Sequence, residues 1–151
     1  MKLTIAIALL VAPMLARQSA DTSKATYKTE AQLMAALAAS ATNPTMLTSP
    51  VSIADGGHSI NIVRRTAAGG AVAHEGATEL HHIIEGSGTL VTGGTLVRPA
   101  AGGRGGATIQ NGDSRRVTKG DVILVPAGMP HWYSQLEGGS ITYLEVRWNG
   151  K

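Results

Sequence analysis

From Ser52 onward, short apolar runs alternate with turns, a pattern of strand, turn, strand. It predicts strands over residues 59–65, 71–74, 79–84, 88–92, 107–110, 114–117, 121–125, 131–135 and 140–148. Many short strands at this spacing make a sandwich or a barrel, so the fold class is all-β. Upstream the pattern changes. Residues 29–40 (TEAQLMAALAAS) are rich in helix formers, with Leu33, Met34 and Leu37 on one face. Thr29 can cap this short N-terminal helix, which would lie outside a sheet. Asn43-Pro44 and Ser49-Pro50 are expected to break the chain after it. Residues 1–20 (MKLTIAIALLVAPMLARQSA) begin with Lys2, continue apolar from Leu3 to Leu15, and end in small residues. That is the layout of a secretory signal peptide, too short to span a bilayer comfortably. Three segments result: 1–20 for export, 21–51 as an extension carrying the helix, and 52–151 as the barrel. The expected location is periplasmic or extracellular, with no membrane attachment once the signal is removed.

Composition sharpens this reading. All 19 glycines of the 151 residues lie at or after Gly56, where the turns are needed. Cysteine is absent, which excludes disulfides, thiolate metal sites and a cysteine nucleophile. The formal net charge is +3, but Lys2 and Arg17 lie in the export segment, leaving eleven basic against ten acidic residues. With 3% aromatics and only two basic pairs, Arg64-Arg65 and Arg115-Arg116, no nucleic-acid partner is expected.

Two segments carry candidate chemistry. Gly120-Asp-Val-Ile-Leu-Val-Pro126-Ala-Gly128-Met-Pro-His131 has a glycine, five residues, Pro-x-Gly, two residues, then histidine. An apolar strand would end at Pro126, Gly128 would turn the chain, and His131 would open the return strand facing inward. This segment resembles the second motif of the cupin superfamily, with Gln135 at the position where that motif usually ends in Asn. Gly70-Ala-Val-Ala-His74-Glu-Gly-Ala-Thr-Glu79, followed by Glu85-Gly86-Ser-Gly88, resembles the first cupin motif. His74 stands at its second histidine and Glu79 at its glutamate, while Val72 occupies the place of the first histidine. The resemblance covers residues 52–148. It implies a small single-domain cupin: a double-stranded β-helix, or jelly roll, often dimeric, with a metal deep in one end of the barrel.

Strand arithmetic offers a replacement for the absent histidine. If His74 faces Glu79 across an antiparallel hairpin turned at Gly76, then Val72 faces His81. Side chains alternate along strands, so positions 72, 74, 79 and 81 would share one face. The expected metal set is therefore His74, Glu79, His81 and His131. Imidazoles with one carboxylate suit a divalent transition metal such as Fe, Mn, Co, Ni, Cu or Zn. Alternatively, three histidines hold a zinc-type centre and Glu79 is a general base.

By the same alternation Tyr133 and Gln135 should share the face of His131 and position a substrate, giving Tyr133, Gln135 and Glu79 as candidate catalytic residues. His82 should face outward, and Trp132 and Trp148 should pack outside the barrel or at a subunit contact. Arg64 and Arg147 would reach an anionic substrate only if their strands face inward. Similar small cupins include dioxygenases, isomerases, lyases and non-catalytic binders. The expected function is a metal-dependent enzyme acting on a small organic molecule, with oxidoreductase chemistry ahead of lyase or isomerase chemistry because a mixed His/carboxylate site suits iron or manganese. A homodimer is expected. A cupin that binds a small molecule without turnover is the alternative.

Overall fold

A computed structural model describes residues 25–40, 45–53, 57–100 and 105–149. The segments 1–20, Asn43-Pro44 and most of the glycine-rich stretch after Pro99 lie outside the described residues. Among the described residues one helix, α1 (Glu30–Ala39), precedes eight strands. These are β1 (Met46–Ile53), β2 (His58–Arg65), β3 (Thr78–Thr92), β4 (Thr95–Val97), β5 (Thr108–Gln110), β6 (Asp113–Thr118), β7 (Val122–Val125) and β8 (His131–Trp148).

The helix starts where the sequence places its cap. Thr29 accepts from the Gln32 amide at 3.2 Å, and the Gln32 side chain accepts from the Thr29 amide at 2.8 Å, a reciprocal capping box. Leu37 is fully buried, and the Ser40 hydroxyl donates to the Thr48 carbonyl at 2.8 Å, tying the helix end to β1.

The main sheet is antiparallel in the order β1-β2-β8-β3-β6, with β7 also paired to β3; β4 and β5 form a separate ribbon. β3 and β8 form its spine. They pair from Thr78↔Trp148 to Thr92↔His131, with register shifts near Ile83, Gly86 and Thr89. These irregularities bend two long strands around the barrel instead of ending them. The expected strands 79–84 and 88–92 are therefore the single β3, and 131–135 and 140–148 are the single β8. Gly86 marks the bend: at φ 79° a Cβ there would stand 2.2 Å from the Ser140 carbonyl oxygen.

Other expectations need correction. Residues 71–74 form no strand; only Val72 makes an isolated bridge, to His131. β1 and β4 were not anticipated. Pro50 lies inside β1, where it was expected to break the chain. It is tolerated because β1 is an edge strand and its register shifts between Pro50 and Ser52. The sheet thus begins before residue 52. The apolar core is Val63, Ile83, Leu90, Val117, Tyr133, Ile141 and Tyr143. No helix among the described residues is long and apolar enough to cross a membrane.

Candidate metal centre

Glu79 and His81 lie two residues apart on β3, so both point inward, and each is only 1% exposed. At this level β3 is paired on both edges. Glu79 faces Val125 of β7 and Arg147 of β8, and His81 faces Ile123 and Glu145. No edge is left for residues 71–74, so the expected hairpin between Val72 and His81 does not form. Val72 pairs with His131 instead, through bonds of 3.1 and 2.8 Å between their amides and carbonyls. That bridge fixes His131, the first residue of β8, beside Glu79.

His74 sits in the loop between the Val72 bridge and β3. Its carbonyl accepts from the amides of Ala77 at 3.2 Å and Gly128 at 2.9 Å. Gly128 has φ 76°, in the left-handed region, so a glycine suits the turn that leads to His131. The His74 side chain is 34% exposed, making it the open side of the cluster.

All four expected ligands meet at the Glu79 carboxylate. His74 Nε2 lies 3.4 Å from Oε1; His81 Nε2 and His131 Nε2 lie 3.2 and 3.3 Å from Oε2. Donor atoms of His74, Glu79 and His131 lie within 4.8 Å of one another, as do those of Glu79, His81 and Glu145. The two groups share Glu79: His74 and His131 belong to the first, and His81, together with Glu145, to the second.

The outer contacts orient the rings. His131 Nδ1 is 3.1 Å from the Met129 carbonyl, to which it can only donate, and this turns the Nε2 lone pair toward Glu79. Two lone-pair groups 3.3 Å apart need a proton or a metal ion between them. His81 Nδ1 is 3.1 Å from the Tyr133 hydroxyl, and the His81 ring packs 4.7 Å from that of Tyr143. Burial alone would raise the Glu79 carboxyl. Hydrogen bonds from His131 and His81, with the charges of His131 and Arg147, outweigh it and hold Glu79 below the usual carboxylate range. Burial is likewise the first cause that lowers His74 from its ordinary value, favouring the neutral imidazole that a metal requires.

Arg147 completes the cluster. Its guanidinium lies 3.0 Å from Glu79 Oε1 and 2.9 Å from Glu145 Oε1, at angles that leave Arg147 Nε and Glu79 Oε1 without a hydrogen bond. Its terminal nitrogen is 3.3 Å from His74 Nε2 and 3.1 Å from Glu145 Oε2. A side-chain cation thus rests against His74 Nε2 and Glu79 Oε1, two atoms that a metal would use. The orphaned buried oxygen and the donor set of three imidazoles and one carboxylate fit a divalent transition metal, provided Arg147 turns fully to Glu145.

The remaining expectations divide. Tyr133 points inward and is 1% exposed, but its hydroxyl serves His81 and does not reach the cavity, so it positions a ligand. Gln135 is exposed, contrary to the expectation that it lines the site. The register passes from Leu90↔Tyr133 to Thr89↔Gln135, so Ser134 is an extra residue that reverses the alternation and turns Leu136 to the core. Arg64 faces away and pairs with Glu85 at 2.7 Å. His82 faces outward into a cleft beside α1. Trp132 donates to the Gly69 carbonyl, pinning the loop after β2.

Glu145, Asn61 and Arg65 were not anticipated. Asn61 is the cross-strand neighbour of Glu145 and donates to it at 3.3 Å. Together with His74 and Arg147, these residues line a cavity of about 570 Å³.

The sequence matches the cupin family model over residues 20–137. No curated protein matches it. Among solved structures, the cupin domain of Schizosaccharomyces pombe Cnp3 aligns with TM-score 0.53 at 11% identity, over 72% of this chain and 67% of that one. A putative mannose-6-phosphate isomerase from Ralstonia eutropha aligns with TM-score 0.52 at 18% identity, over 72% and 89% of the two chains. The iron(II) form of HppE aligns with TM-score 0.53 at 14% identity, over 68% of this chain and 50% of that one. At these identities the likeness concerns the fold. With the family match spanning most of the sequence, and a His/Glu cluster inside an antiparallel barrel, the chain belongs to the cupin family.

Proposed function

We propose that this cupin is a metal-dependent enzyme acting on a small organic molecule, with oxidoreductase chemistry favoured over lyase or isomerase chemistry. One observation carries the reading: three imidazole Nε2 atoms stand 3.2 to 3.4 Å from one buried carboxylate. His74, Glu79 and His131 would hold the ion, with His81 as the fourth ligand. A bound iron or manganese would supply Lewis acidity and one-electron redox chemistry. The structural likeness to iron(II) HppE supports that choice only as far as the fold.

The chain's own residues have separable tasks. Glu79 stays ionised and would offset one of the two charges of a divalent cation. The Met129 carbonyl and the Tyr133 hydroxyl orient the rings of His131 and His81. Burial raises the Tyr133 phenol far above its ordinary value, so it remains a hydrogen-bonding hydroxyl at any working pH. The partly exposed His74 would leave a bound ion reachable from the cavity.

Arg147 favours a second reading, a cupin that binds a small molecule without turnover, because it already occupies the face of His74 and Glu79. We take the working state to be an exported homodimer. Residues 1–20 support export, and the exposed Val122 and Leu124 on β7 support self-association. The decisive experiment is elemental analysis of purified protein with oxygen-uptake assays across small organic acids, alcohols and phenols. Stoichiometric metal with metal-dependent uptake is expected. Metal-free protein that cannot be reloaded would overturn the enzyme reading.

A further inference from the structure

The cavity beside the cluster has two arginines at its wall, and only one of them is paired with carboxylates. Its volume of about 570 Å³ suits a small molecule, and three charged side chains stand at its wall: Arg65, Arg147 and Glu145. Arg147 pairs with Glu145: its terminal nitrogen donates to Glu145 Oε2 at 3.1 Å and its Nε lies 2.9 Å from Oε1, while Asn61 also donates to Glu145. Arg65 has no such partner. Among the described residues no carboxylate lies within ion-pair distance of it.

The place of Arg65 is built. It lies on β2 opposite Ile141 of β8. Its Nε donates to the Tyr143 hydroxyl at 3.0 Å, and its guanidinium carbon lies 5.4 Å from the centre of the Tyr133 ring. Tyr133 and Tyr143 are themselves buried and stacked 5.2 Å apart, so the arginine rests on a rigid aromatic floor. A hydroxyl and a ring face hold a guanidinium in place without neutralising it. Arginine carries five N–H donors in a planar fork that matches a carboxylate. Nε is used on Tyr143, which leaves the terminal nitrogens for a ligand.

We propose that this cavity receives a small monocarboxylate whose anionic group pairs with Arg65. One unspent cation matches one negative charge, and Met46, Val63 and Val72 supply apolar wall for the remainder of the molecule. The proposal deepens the metal-centre reading. A carboxylate anchored at Arg65 directs the rest of the molecule toward His74, the exposed ligand on the same wall. It rests on that reading for its chemistry but not for its binding.

The test is calorimetric titration of the full chain with butyrate, its neutral isostere butyramide, and inorganic phosphate. Each is run on chelator-treated and on zinc-loaded protein, with metal content measured separately. Butyrate is expected to bind at least about tenfold more tightly than butyramide in both states, with phosphate weaker than butyrate. Arg65→Gln should abolish the preference for butyrate, and Arg65→Lys should restore part of it. The butyrate–butyramide comparison needs no variant, so it stands even if a substitution disturbs folding. Equal binding of butyrate and butyramide, or an unchanged preference in a folded Arg65→Gln protein, overturns the carboxylate site. Tighter binding of phosphate than butyrate also overturns it. Failure to load zinc while the butyrate preference persists would defeat the metal reading and leave the carboxylate site standing.

Discussion

β3 and β8 run side by side through two different interiors. At one level the inward residues are Glu79, His81, Glu145 and Arg147; one step along the same strands they are Ile83, Tyr143 and Ile141. The backbone pairing continues through both, and Glu79, His81 and Ile83 are equally buried. The apolar level gains from burial directly. At the polar level desolvation costs free energy, which the ligand-like contacts must offset. One level holds the barrel, and the other is held by it so that a cation can bind.

The sharpest break in this comparison comes from Ile83→Ala. Opening a cavity under a fully buried side chain should cost about 3 to 4 kcal/mol, with or without metal, as measured by urea unfolding. Glu79→Gln should behave in the opposite sense. It keeps the shape but removes the charge, so metal affinity should fall about 100-fold or more, a cost that even outer partners of ligands approach. The same substitution has a pH signature in metal-free protein. Glu79 is held below its ordinary value of 4.5 and His74 below 6.5. Groups lowered on folding stabilise the fold above their ordinary values, and that stability is lost as pH falls. Acid unfolding should therefore be shallower in Glu79→Gln than in the parent when stability is followed from pH 7 down to pH 3.

Arg147→Gln should tighten metal binding by about tenfold, because it removes a positive charge from beside the ligand atoms. Its side chain is 35% exposed, so solvent limits the gain. Competition against a metal-indicator dye reads it, and weaker binding would mean that Arg147 supports the site. Gln135→Ala should have the smallest effect, within about 0.5 kcal/mol of stability and with unchanged metal affinity, because the side chain is exposed. A large loss there would restore Gln135 to the site.

The legible and hidden parts of the molecule differ for physical reasons. The α1 cap, the inward turn of His131 and the shared face of Glu79 and His81 follow from local rules. Capping, glycine turns and strand alternation act within a few residues. The hairpin assigned to Val72 and His81 failed because β3 already has two partners at that level, a fact set by distant strands. Gln135 failed because the extra residue at Ser134 is defined only against Thr89 and Leu90 of the partner strand. Burial on both faces of β8 hid Glu145 and left the facing of Arg147 open. Ile141, Thr142 and Tyr143 are consecutively buried, so alternation no longer marks which side faces the core. His81 thus reached the cluster, though by a route other than the hairpin.

The proposed centre has three imidazoles and Glu79 around one ion, with His81 among them. X-ray absorption on cobalt-loaded protein counts the imidazoles around the metal directly. Three are expected in the parent and two in His81→Ala, with the carboxylate retained in both. Two imidazoles in both proteins would contradict it and confine the ion to His74, Glu79 and His131.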